Sequence, residues 1–163
     1  MVGDVTNSVL HFEQEYDLPR AVVWDALVDE DLVGGWLAEA EIDARIGGRY
    51  DLRWYSPIAT GATLGEIADL REAELLVIEI EQVGTVSFSL EPVDGGSRGE
   101  ATALSVRVDG ETELRLADGV RAAWLTSLEQ LEELLRGRPV DWSTWRADHG
   151  AQWSAHLERL RSA

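Results

Sequence analysis

Residues 120–136, VRAAWLTSLEQLEELLR, carry an apolar stripe too wide to face water. Val120, Ala123, Trp124, Leu128, Leu131, Leu134 and Leu135 recur at steps of three and four. At about 100° per residue they cover an arc of about 140° on one helix. Arg121, Glu129, Gln130, Glu132 and Glu133 fall on the other side. Asp118 stands where an N-cap would accept the free N–H groups of the first turn. Arg136 suits the negative end of the helix dipole, Gly137 can take the left-handed conformation that closes a helix, and Pro139 prevents resumption. Such a helix must lie on something large. Almost everything before it reads as strand, so the expected partner is a sheet.

The strands follow from alternation. Residues 8–16 place Leu10, Phe12, Gln14 and Tyr16 on one face and Val9, His11, Glu13 and Glu15 on the other. Pro19 fits the first position of a helix over 20–28, and 29–36 reads as a second short helix loosened by Gly34-Gly35. Further strands are expected at 40–44, 49–54, 62–70, 74–81, 85–92 and 100–108. Gly47-Gly48 and Asp94-Gly95-Gly96-Ser97 mark turns. Residues 109–117 read either as a strand end or as a connector. After Pro139 a helix is expected over 144–161, with Trp145, His149, Trp153, His156 and Leu160 on one face. The resulting class is α+β, a mostly antiparallel sheet curled around a helix.

Composition narrows the chemistry. At 163 residues the chain suits one domain, residues 1–163, with a core over about 8–136 and a helical extension over 139–163. No stretch reaches the ~18 apolar residues of a membrane span, and the N-terminus lacks a signal-peptide pattern, so a cytoplasmic location is expected. With no cysteine there is no disulfide, thiolate nucleophile or zinc–thiolate site. Thirty-one acidic residues against 14 basic ones give a net charge of −17, which repels phosphate backbones and anionic membranes. His149 and His156 are two helical turns apart, too far for a metal pair at i, i+3 or i, i+4. No phosphate-cradling glycine loop or nucleophile elbow occurs. No metal, cofactor or catalytic set is expected.

Between Pro19 and Trp54 a family pattern emerges. Pro19, Val23-Trp24, Ala26-Leu27, the span from Leu32 to Trp36, and Gly47-Gly48 resemble the SRPBCC superfamily of START-like helix-grip domains. They look closest to the branch named after the activator of the heat-shock-protein ATPase. Trp124 matches a tryptophan that this branch carries early in its long helix. The resemblance covers roughly residues 8–136. It implies a curved antiparallel sheet of about seven strands wrapped around the long helix, with two short helices after strand one. It also implies a cavity for an apolar small molecule. This sequence departs from the pattern in the extension over 139–163, in Gly96-Ser97 where Gly-Thr is common, and in lacking the additional N-terminal domain of eukaryotic chaperone activators.

The residues expected to line such a cavity are Trp36, Tyr50, Leu52, Trp54, Ile78, Phe88, Leu104, Val106, Trp124, Leu128 and Leu131. The alternative is that they pack against one another as plain core. Trp24 is read as core. Arg53, Glu66, Glu79 and Tyr50 are the acid–base candidates should the cavity be catalytic, but no spacing selects a pair. Three uses are open. The first is binding of an apolar or amphipathic ligand. The second is cyclase, dehydratase or hydrolase chemistry in the same cavity. The third is a protein-interaction role like that of the chaperone activators. Residues 139–163 suit docking on the body of the chain, or a homodimer contact through their aromatic face.

Overall fold

The computed structural model describes residues 5–94 and 99–162. Strand β1 (Val5–Tyr16) is followed by the helices α1 (Arg20–Val28) and α2 (Glu30–Val33). Seven strands come next: β2 (Glu39–Ile42), β3 (Tyr50–Trp54), β4 (Gly61–Thr63), β5 (Gly65–Arg71), β6 (Leu75–Ile80), β7 (Gly84–Asp94) and β8 (Glu100–Glu113). A 3₁₀ turn, Leu114–Leu116, leads into α3 (Ala117–Leu135), and a second, Trp142–Thr144, leads into α4 (Trp145–Ser162). The turn expected at 94–97 lies outside the described residues from position 95 on.

The sheet is antiparallel throughout, in the order β1-β8-β7-β6-β5, with β2-β3-β4 as a second group. Backbone bonds from Gly47 N to Ile67 O (2.8 Å) and from Ile67 N to Gly48 O (2.9 Å) join the two groups. Its inner face turns toward α3, with β1 running beside the helix. Phe12 and Tyr16 of β1, Leu76, Ile78 and Ile80 of β6, Val86, Phe88 and Leu90 of β7, and Leu104, Val106 and Val108 of β8 are all buried. Each such side chain contributes about 1.5–3 kcal/mol when fully removed from water. The opposite face carries His11, Glu13, Glu79 and Arg107, all exposed.

Three local expectations are corrected. The strand read over 62–70 is two strands broken at Leu64, because β4 pairs with β3 and β5 pairs with β6. Gly65 makes that step possible: a Cβ there would lie 2.3 Å from the Tyr50 carbonyl oxygen. The second short helix stops at Val33, with Asp29 capping the N–H groups of Asp31 and Leu32. Asp118 does not cap α3. The preceding 3₁₀ turn runs directly into the helix, Leu116 is its N-cap without a side-chain bond, and Asp118 lies inside the first turn.

Gln130 departs furthest from its expected place. Helical periodicity puts it on the polar side of α3, yet it is fully buried. The cause is α4, which packs along that side. Trp145 Nε1 donates to Gln130 Oε1 at 2.7 Å, and Gln130 Nε2 donates to the Trp36 carbonyl at 2.8 Å. One amide thus ties α4 to α3 and α3 to the segment after α2. Gln130→Leu should lower stability by about 1–3 kcal/mol, since it leaves a buried donor and a buried acceptor unmet. Adding Trp145→Phe should restore part of that loss. Urea unfolding followed by circular dichroism measures both.

Candidate ligand cavity

A cavity of about 550 Å³ lies at the N-terminal end of α3. Val83 and Val108 supply its sheet wall, Val120 and Trp124 its helix wall, Ile58 one side, and Trp153 of α4 the roof. Thr60, Gln82, Glu111 and Glu113 form its polar rim. The floor is shaped by glycine. A Cβ on Gly110 would lie 2.3 Å from the Val83 carbonyl oxygen, so β7 and β8 meet backbone to backbone here. The rim is clasped by Gln82, whose backbone takes φ 68°, a costly left-handed conformation for a non-glycine residue. Its amide offsets that cost by three bonds to Thr60: Thr60 N and Thr60 Oγ1 each donate to Gln82 Oε1 (both 3.2 Å), and Gln82 Nε2 donates to Thr60 O (2.9 Å). The roof is fixed by Trp153 Nε1, which donates to the Gly119 carbonyl at 3.0 Å.

Of the residues expected to line the cavity, Trp124 lies in its wall. Leu128 borders a separate shallow groove beside Phe12, and Leu104 underlies an open groove on the outer side of the sheet. The rest are buried in the core, where they pack together. Trp36 meets Phe88 edge to face at 6.3 Å, with Tyr50, Leu52, Trp54, Ile78, Val106 and Leu131 in the same cluster. The polar atoms of these rings are taken: Trp36 Nε1 by Ala26 O (2.7 Å), Tyr50 Oη by Leu27 O (2.7 Å), and Trp54 Nε1 by Thr63 Oγ1 (2.9 Å). The indole of Trp124 differs. It stacks on Phe12 at 6.4 Å, and its N–H is buried with no hydrogen-bond partner among the described residues.

Ile58, Val83, Val108, Val120 and Trp153 were outside the expected lining. Val108 and Val120 carried a signal, since each continues an inward pattern toward the same end of the fold. Ile58 lies in a loop and Trp153 in the extension, where periodicity says nothing about what is faced.

Of the acid–base candidates, Glu66 and Glu79 face each other across β5 and β6, away from the cavity. Arg53, Glu66 and Glu79 are exposed. Tyr50 is buried and bonded, and burial pushes its phenol well above the ordinary tyrosine range. Burial does the same to Tyr16, helped by the nearby Glu132 carboxylate, and its hydroxyl donates to the Leu128 carbonyl at 3.1 Å. Among the described residues no group of three or more His, Asp or Glu side chains is placed to hold a metal ion.

A curved antiparallel sheet gripping one long helix, with a cavity between them, defines a helix-grip protein of the SRPBCC type. Residues 17–136 match the family described as activator of Hsp90 ATPase homolog 1-like protein, and the chain belongs to that family. Solved structures share the fold. MLL2253 from Mesorhizobium loti is 20% identical over 82% of this chain and 100% of its own, with a TM-score of 0.68. The solution structure of CalU16 from Micromonospora echinospora is 18% identical over 96% and 93%, with a TM-score of 0.67. DynU16, from the dynemicin biosynthetic locus, is 21% identical over 80% and 48%, with a TM-score of 0.63. No curated protein matches the sequence.

The phenols give a test of the packed region. Tyr16 and Tyr50 hold their protons more tightly when folded, so their contribution to stability is intact below about pH 10 and declines as pH rises beyond it. In an ultraviolet titration of the folded protein only Tyr55, which is exposed, should ionise. Tyr16 and Tyr50 should follow only as the chain unfolds.

Proposed function

We propose that this protein binds an apolar or amphipathic small molecule in the cavity between the sheet and the N-terminal half of α3. The observation that carries this reading is an open-mouthed recess of about 550 Å³ lined largely by aliphatic and tryptophan side chains, with a polar rim. Concave, largely apolar sites of this size with a few polar groups at the rim are the usual form of a small-molecule site. The family supports it, because binding of apolar ligands is the commonest shared role of helix-grip domains. A structural neighbour from a biosynthetic locus is in keeping with a small-molecule ligand. In this reading residues 139–163 serve as the roof of the cavity through Trp153, and not as a dimer arm. An enzymatic use of the cavity has less behind it, because none of Arg53, Glu66, Glu79 and Tyr50 lines it.

Native mass spectrometry of the purified protein should show a bound apolar molecule, or one taken up from a panel of neutral aromatic and aliphatic compounds. Val83→Phe places added bulk in the cavity and should weaken that binding by about tenfold or more. The thermal midpoint should change little. Equal affinity in the filled variant would contradict the assignment.

A further inference from the structure

We propose, resting on the cavity reading above, that Trp153 of α4 limits the length of the ligand. Its indole stops the recess short, so the site takes compact apolar molecules and gains nothing from added length.

Trp153 is the one residue beyond α3, among those described, that lines the recess. It is half-buried, so its ring keeps a surface that a ligand can touch. Two contacts seat it. Its N–H donates to the Gly119 carbonyl at 3.0 Å, and a Cβ on Gly119 would lie 3.6 Å from Trp153 Cζ2, so the ring rests against the first turn of α3. The helix that carries it is held by Trp145 on Gln130 and by His156 on Glu129. The other walls have no length to give. Val83, Val108 and Trp124 are buried, and the Gly110 backbone lies against that of Val83. At the mouth stand Thr60, Gln82, Glu111 and Glu113. A methylene pushed past this polar rim returns to water and adds nothing, whereas one buried against aliphatic walls tightens binding about fourfold. Affinity should climb with chain length and stop where the space under Trp153 is full. No other α4 side chain among those described lines the recess, so shortening Trp153 leaves room there and not a substitute wall.

Fluorescence titration of the full chain with 2-alkylnaphthalenes, from methyl to octyl, gives an affinity for each chain length. The wild type should gain about fourfold per carbon up to a limit and nothing beyond it. In Trp153→Ala the affinity ratio between the member about two carbons past that limit and the member at the limit should rise from about one to about fifteen. This ratio cancels any contact that all members lose with the indole. Trp153→Phe, which keeps a smaller ring, should move the limit less, and it carries the test if the alanine variant does not fold. Trp145→Phe loosens α4 without touching the recess and should leave the limit in place. A limit unmoved by both Trp153 variants, or a steady gain through octyl in the wild type, overturns the proposal and leaves the cavity standing. A limit moved as far by Trp145→Phe overturns Trp153 as its source. If no member binds the wild type, the cavity reading falls with the proposal.

Discussion

Gln130 holds the architecture at its centre. A helix packed on one face by a sheet needs only an apolar stripe, and α3 has one. This helix is covered on its second side as well, by α4, and there its polar residues must be satisfied without water. The Gln130 amide does so by accepting from Trp145 and donating to Trp36. The same helix–helix seam also carries Trp153 on Gly119 and His156 on Glu129. A buried polar link of this kind specifies one arrangement, because any shift of α4 along α3 would strand the Trp145 bond.

The two ends of α3 are used differently as a result. Around Leu131 the space under the helix is filled by Trp36, Phe88 and Tyr50, whose polar atoms bond to the backbone of α1. Around Val120 the sheet instead presents Val83, Val108 and paired glycine backbone, and the space stays open. The boundary falls at Trp124, which belongs to the packed core by burial and to the cavity by position. Stability and binding are therefore placed at opposite ends of one helix, and α4 braces both.

Much of the fold was legible because periodicity reports burial. The alternation in β6, β7 and β8 and the stripe of α3 identified the inward residues, and the bounds of α1 follow from Pro19 and the spacing of Val23, Trp24 and Leu27. What periodicity could not report was a second covering layer. Gln130 looked solvent-facing because its burial depends on a helix folded back from later in the chain. The break at Leu64 was hidden because Gly65 matters through its closeness to Tyr50, a contact between strands. The lining of the cavity was legible only in part for the same reason. Sequence marks which residues face inward, and it does not mark where inward-facing side chains fail to meet. The large residues nearest the middle of the fold fill it, and the opening lies where valines and glycines face each other.

The measurement that tests this account most directly is a set of intermolecular nuclear Overhauser effects from bound 2-isopropylnaphthalene to methyl-labelled protein. The account predicts contacts to Val83, Val108 and Val120 and to Ile58. Contacts to Ile78, Leu104 or Leu131 instead would place the ligand in the packed core, and would contradict it.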